Sequence, residues 1–253
     1  MTIDLSGKVA LVTGATGQLG RVMVRTLAAA GADVAVHYLQ SADKAQQLCQ
    51  EIAHMGRKTM AVQADITDYD SVQSMRNRVT ATIGAPGIVV CNAVSQYQWV
   101  GILEQPAEDF QGQFDACVMH NVHMAKAFVP AMMAQGMGRF IGINTECAAL
   151  CNANSGAYAA AKRGMDGIYR VLAKEVGMSG VTVNQVAPGW TISDRDRENG
   201  TEVAPEYSKN VPLGRRGTDQ EIANAVLFFA SDLSAYITGA YLPVSGGTVM
   251  VGI

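Results

Sequence analysis

Short apolar runs alternate with longer segments of helical periodicity along almost the whole chain. Lys8 to Thr13 (KVALVT), Val34 to Tyr38 (VAVHY), Thr59 to Gln63 and Gly87 to Cys91 (GIVVC) are short and rich in β-formers, and each reads as a strand. Between them, Arg21 to Ala30, Asp43 to His54 and Asp70 to Ile83 have helical character, and Gly31 and Gly56 stop the first two. The second half repeats the alternation. A long helix is predicted over Glu108 to Gln135, a strand over Arg139 to Asn144, and then a helix that carries Tyr158. The strand Val181 to Val186, the helix Asp219 to Ala230 and a last strand near Tyr241 to Val244 complete the order. Such alternation implies βαβ units, and right-handed crossovers place helices on both faces of the sheet. The expected fold is therefore α/β, a doubly wound and mostly parallel sheet. No repeat, low-complexity segment or linker divides the chain, so residues 1–253 read as a single domain. The stretch from Gly189 to Arg216 departs from the pattern. It holds Asp194, Arg195, Asp196, Arg197 and Glu198, two prolines and no sustained periodicity, which predicts a substrate lid over 189–216, with a disordered excursion as the alternative.

Composition narrows the class of partner. With 49% hydrophobic and 16% charged residues, a chain of 253 residues forms a folded globular domain with a sizeable core. A net charge of −3 without any run of Lys or Arg argues against a nucleic-acid surface. No apolar stretch reaches the roughly 18 residues that a membrane span needs. Asp4 before a short apolar run fits neither a signal nor a transit peptide, and the expected location is cytoplasmic. The five cysteines agree: they are odd in number, and Cys147 and Cys151 have no second pair or nearby His, so reduced thiols and no metal site are expected. His37, His54, His120 and His123 form no metal set, and His120 and His123 read as helix residues at a packing face.

The first strand runs into Thr13-Gly14-Ala15-Thr16-Gly17-Gln18-Leu19-Gly20 and then into a helix. Gly14, Gly17 and Gly20 permit a tight turn, close approach of a diphosphate and close packing of helix on strand, and the helix N-terminus offers free N–H groups. In a strand–turn–helix that opens a βαβαβ pattern, this predicts dinucleotide binding through Gly14, Thr16, Gly17, Gln18, Leu19 and Gly20. A ribose-binding carboxylate would stand at the end of the second strand, about 20 residues on. Asp33 lies at the wrong end of that strand, which closes on His37-Tyr38-Leu39-Gln40-Ser41 without an acid. Tyr38 joins the expected cofactor contacts. With no acid to repel a 2′-phosphate, and with His37 and Ser41 placed to help hold one, NADP(H) is mildly preferred over NAD(H).

Tyr158 and Lys162 are four residues apart in an Ala-rich helix, so both rise from one face. An ammonium beside a phenol favours the phenolate, which would lower the tyrosine pKa from about 10 and make it a general acid and base. A packed ring beside a solvated charge is the plainer explanation of the same pair.

The order of motifs tips that balance. The chain resembles a short-chain dehydrogenase/reductase of the single-domain branch, Rossmann-like in fold, over nearly its whole length. The likeness rests on the Gly-rich turn, Asp65-Ile66, Cys91-Asn92-Ala93-Val94, Asn121, and Thr145 thirteen residues before Tyr158 with its Lys162. It continues through Asn184 to Gly189 (NQVAPG), Pro212 to Arg215, Ile237 to Gly239, and Gly246-Gly247. The resemblance implies an NAD(P)-dependent oxidoreductase that interconverts a secondary alcohol and a ketone. Its implied tetrad is Asn121, Thr145, Tyr158 and Lys162: Tyr158 exchanges the proton, Lys162 holds the nicotinamide ribose, Thr145 bonds the reacting oxygen, and Asn121 holds a water leading to solvent. It further implies Asp65 and Ile66 at adenine, Asn92 and Ala93 at the ribose, and Pro188, Gly189 and Thr191 at the nicotinamide. A homo-oligomer, tetramer or dimer, is implied as well.

Four positions depart from the family pattern. Thr145 stands where serine is usual, and Gln18 where the shorter branch has glycine, in a turn that also lacks a basic residue. Val94 replaces a glycine, and Glu146 replaces a small or apolar residue. Glu146 reads either as a solvated strand-end charge or as a substrate contact, and Trp190 either lines the substrate pocket or packs under the lid. A catalytically impaired dinucleotide sensor or scaffold on the same fold is the alternative function.

Overall fold

The computed structural model describes residues 3–95 and 97–250. Seven strands form one sheet: β1 (Val9–Val12), β2 (Asp33–Tyr38), β3 (Thr59–Gln63), β4 (Ile88–Cys91), β5 (Gly138–Ile143), β6 (Val181–Pro188) and β7 (Tyr241–Val244). Their spatial order is β3-β2-β1-β4-β5-β6-β7, and every pair is parallel. The sheet is thus wholly rather than mostly parallel. The connections are α1 (Gln18–Ala29), α2 (Ala42–His54), α3 (Tyr69–Ile83), α4 (Ala107–Phe114), α5 (His120–Ala134), α6 (Glu146–Leu150) and α7 (Gly156–Val176). After β6 follow α8 (Asp194–Asn199), α9 (Pro205–Ser208) and α10 (Asp219–Ala230).

The strands are apolar on consecutive positions because both faces are covered. Ala10, Val12, Val34, Val36, Ile88, Val90, Ile141 and Ile143 point to one core, packed by α1, α2 and α10. The intervening Leu11, Ala35, Val89, Cys91 and Phe140 point to the other, packed by α3, α5 and α7. Burying one such Val, Ile or Leu stabilises by about 1.5–3 kcal/mol, whereas an exposed pair such as Arg25–Glu51 contributes under about 1 kcal/mol. Two-sided packing therefore holds the sheet, and the surface charges trim it.

Three segments differ from the sequence expectation. The helix predicted over Glu108 to Gln135 is broken by one π-helical segment, Asp115–Met119, between α4 and α5. Apolar periodicity runs through the break because a π turn changes the backbone hydrogen bonding, not the polarity of the face. A five-residue helix, α6, follows β5 where none was expected; Thr145 caps it, accepting from the Cys147 N–H at 3.2 Å. The charged stretch after β6 is ordered into α8 and α9. Ser193 and Asp196 close a capping box on α8, and Arg216 ties the segment together from below.

Candidate active site

Strand β1 sits between β2 and β4, so its neighbours leave in opposite directions and a crevice opens at the strand ends. The Thr13 hydroxyl accepts from the N–H groups of Asn92 (2.8 Å) and Ala93 (3.1 Å), while the Asn92 amide donates to the carbonyls of Thr13 (2.9 Å) and Gly14 (3.2 Å). These bonds lash the Gly-rich turn to the end of β4. Gly14 has φ +61°, and a Cβ there would lie 3.0 Å from the Ala93 Cα; a Cβ on Gly20 would run into the Gly14 carbonyl. Gly17 caps α1 without a side chain, so the first-turn N–H groups remain for an anion. The turn fits a dinucleotide diphosphate.

One cavity of about 1160 Å³ runs from this turn across the strand ends. Its wall includes Gly14, Thr16, Gly17, Gln18 and Leu19, then Asp65, Ile66, Asn92 and Ala93, and at the far end Thr145, Glu146, Tyr158, Lys162, Pro188, Gly189, Trp190 and Thr191. Three expected residues stand off it. Gly20 packs beneath the turn, Tyr38 turns against the core beside α1 and α2, and Asn121 lies buried in α5.

At the ribose end, His37 corrects the expectation. Its Nδ1 accepts the Gly14 N–H at 3.0 Å, and Nε2 meets the Ala64 carbonyl at 3.0 Å. The ring is therefore neutral and braces the turn, and burial pushes its pKa down to about 4. It is not free for a phosphate. The wall beyond it is Leu39, Gln40 and Ser41, with no charged side chain. Across the crevice, Asp65 Oδ1 accepts from the N–H and hydroxyl of Thr67, and His123 meets the Ile66 carbonyl at 3.2 Å. His123 thus holds the loop after β3, while His120 is buried in α5 with Nε2 unpartnered.

At the catalytic end, the pKa expectation for Tyr158 is reversed. Burial, with the nearby Cys117 and Cys147 thiols, pushes the phenol above its usual range, and the Thr145 hydroxyl works the other way. The Lys162 ammonium lies 5.8 Å from the Tyr158 ring centroid but donates to the Ile143 carbonyl at 2.6 Å. Asn121 is committed too: its amide donates to the Cys117 carbonyl (2.5 Å), and its oxygen accepts from Tyr169 (2.7 Å). Asn144 was not foreseen. Its side chain donates to the Lys162 carbonyl (3.1 Å) and to Gln185 (2.7 Å) and accepts from the Thr145 N–H (2.9 Å), joining α7 to β6 beneath the site. The signal in the sequence was the set of amides, Asn144 directly after β5 and Asn184 and Gln185 within β6.

Glu146 is not a solvated charge. It is only 5% exposed, and burial raises its pKa. Its Oε1 accepts from the Tyr207 hydroxyl at 2.9 Å, and that hydroxyl in turn accepts the Trp190 N–H at 3.0 Å. Trp190 lies over the Arg216 guanidinium at 4.1 Å and meets the Tyr207 ring edge-on at 5.3 Å. Tyr97 stacks on the Tyr158 ring at 5.0 Å, and Trp99 lies 6.2 Å from it.

A family model described as enoyl-(acyl carrier protein) reductase matches residues 14–249. The 3-oxoacyl-(acyl-carrier-protein) reductase FabG of Escherichia coli is 36% identical over 249 residues, covering 98% of this chain and 100% of that protein. Among solved structures, a 7α-hydroxysteroid dehydrogenase complexed with NADH and 7-oxo glycochenodeoxycholic acid superposes with a TM-score of 0.88 at 30% identity, over 98% of this chain and 96% of that one. A gluconate 5-dehydrogenase from Burkholderia cenocepacia, in complex with NADP and tartrate, superposes with a TM-score of 0.89 at 25% identity, over 97% and 96%. A chain matched end to end by such reductases and dehydrogenases, on this sheet and around this crevice, belongs to the short-chain dehydrogenase/reductase family of NAD(P)-dependent oxidoreductases acting on CH–OH and C=O groups.

Proposed function

We propose that the protein interconverts a secondary alcohol and a ketone, with Tyr158 moving the proton at the reacting oxygen. The observation that carries this reading is the convergence of Thr145, Tyr158 and Lys162 on the cavity that begins at the dinucleotide turn. A phenol held above its usual pKa is protonated at neutral pH, the state needed to donate to a carbonyl. Thr145 accepts from Cys147 N–H, which leaves its own hydroxyl hydrogen for the same oxygen. Its carbonyl is fixed by the Tyr241 hydroxyl at 2.5 Å, so the residue is held at both ends.

The cofactor, when bound, supplies or takes up the hydride. Gly14 to Leu19 would hold its diphosphate, Asp65 and Ile66 its adenine, Asn92 and Ala93 the adjoining ribose, and Lys162 the nicotinamide ribose. Pro188, Gly189 and Thr191 would flank the ring. The acid-free wall at Leu39 to Ser41 supports NADP(H) over NAD(H), and this preference now rests on that wall without His37. Residues 189–216 act as the lid over the substrate, and the protein works as a homo-oligomer, dimer or tetramer, in the cytoplasm. Replacing Tyr158 with Phe should lower turnover by on the order of 10²–10⁴-fold while leaving cofactor binding intact. Full activity in Tyr158→Phe, assayed with a panel of ketones, would refute the mechanism.

A further inference from the structure

The substrate end of the cavity has an unusual balance of charge. Among the described residues of the wall, Lys162 is the one cationic side chain, His37 being neutral, and it already donates to the Ile143 carbonyl. The acids are Asp65, at the adenine end, and Glu146, beside Thr145. Arg216 is close in space but lies under the Trp190 ring and donates to the Thr191 carbonyl (2.8 Å) and to Asp196 (2.7 Å). An anionic substrate would therefore meet a carboxyl group with no free cation to offset it, in a site where charges are poorly screened.

Glu146 also holds more acceptor capacity than its neighbours use. Oε1 takes the Tyr207 hydroxyl, and the backbone N–H of Trp190 beside Glu146 is given to that same hydroxyl, which leaves the buried Oε2 without a hydrogen bond of its own. Holding Tyr207 requires a single carbonyl-type oxygen, which a glutamine would supply without the desolvation of an acid. Oε2 lies beside Gly189, itself part of the wall, where a Cβ would approach it to 3.1 Å. The flanking surfaces are flat and aromatic. Trp99 and Trp190 both line the cavity and remain about half exposed, and the Trp99 ring is 6.2 Å from that of Tyr158. Indole faces in a wet cavity favour flat rings and, next to them, cations.

Resting on the oxidoreductase reading above, we infer that the substrate is a ring-bearing ketone or alcohol without negative charge, whose hydroxyl or ammonium group donates a hydrogen bond to Glu146 Oε2. Glu146 is then the residue that sets substrate class, selecting donors and rejecting carboxylates, while Trp99 and Trp190 hold the ring.

Three acetophenones that differ only in the para substituent test this: aminomethyl, hydroxymethyl and carboxy. Their binding to the enzyme saturated with NADP⁺ is measured by calorimetry, which needs no turnover. The aminomethyl and hydroxymethyl probes should bind tighter than the carboxy probe by on the order of tenfold to a hundredfold, the range one hydrogen bond to a charged group supplies. Their order relative to each other separates a cationic from a neutral donor. In Glu146→Gln the advantage of the aminomethyl probe should collapse. Equal or tighter binding of the carboxy probe to the wild-type enzyme would overturn the inference, as would an undiminished gap in the variant or no binding of any probe. Reduction of the same ketones with NADPH, compared between the wild type and Tyr158→Phe, reports separately on the proton-transfer reading; its failure would leave the binding order standing.

Discussion

His37 Nδ1 accepts the Gly14 N–H only while the ring is neutral, so protonation removes a bond that shapes the dinucleotide turn. Its pKa in the folded protein is about 4, below the ordinary 6.5, so the unfolded chain takes up the proton first as pH falls. The stability this group contributes is full above pH 6.5 and is lost as pH falls towards 4. His120, pushed down to about 3 by burial, acts in the same direction. The midpoint of thermal unfolding should therefore drop across this window, and His37→Gln should reduce the slope by about one proton. An unchanged slope in the variant would contradict the assignment. Thr145 offers a second test at this scale. Thr145→Ser keeps both the cap and the hydroxyl, so activity should persist, whereas Thr145→Val should remove turnover and weaken α6 by about 1 kcal/mol. A Val variant that turns over normally would remove Thr145 from the proton-transfer centre.

At the scale of elements, the segment between β6 and α10 hangs on Arg216, whose side chain is buried and bonds the Thr191 and Thr201 carbonyls and Asp196. Replacing it with methionine would leave Asp196 without its strongest partner and Trp190 without its cation. Local opening of 189–216 should then become easier, with the sheet intact. Hydrogen exchange would show faster exchange confined to α8 and α9, and global loss of protection would show that Arg216 serves the core instead. Legibility in sequence divides along similar lines. The bounds of β3, α10 and β7 coincide with the pattern-based reading, because apolar runs are local signals. The π segment and α6 were hidden, since one changes only hydrogen-bond spacing and the other is five residues long. Pairings distant in sequence, such as Glu146 with Tyr207 and Asn144 with Gln185, leave no local pattern at all.

For the molecule as a whole, the doubly wound sheet brings the turn, Asp65, Asn92 and Tyr158, which the family resemblance grouped together, to one crevice. Parallel strands deliver all their C-terminal ends to one edge, so residues after strands converge whatever their separation in sequence. What the topology does not dictate is the polarity of the far wall, where this chain places Glu146, Trp99 and Trp190. Light scattering tests the proposed assembly: a dimer or tetramer is expected, and a clean monomer at micromolar concentration would count against it.

The proposed lid is fastened at the phosphate end. Gln18, in the turn itself, donates to the Ile192 carbonyl at 2.5 Å, Arg21 of α1 pairs with Asp194, and Arg197 reaches Asp219 at the start of α10 at 2.9 Å. A flap hinged there would swing open over the substrate while staying strapped to the dinucleotide turn. Traffic through the site would then be sequential, with the small carbonyl compound exchanging while the nucleotide stays in place. Pulse-chase trapping should show the nucleotide dissociating more slowly than product, and Arg21→Ala should narrow that difference.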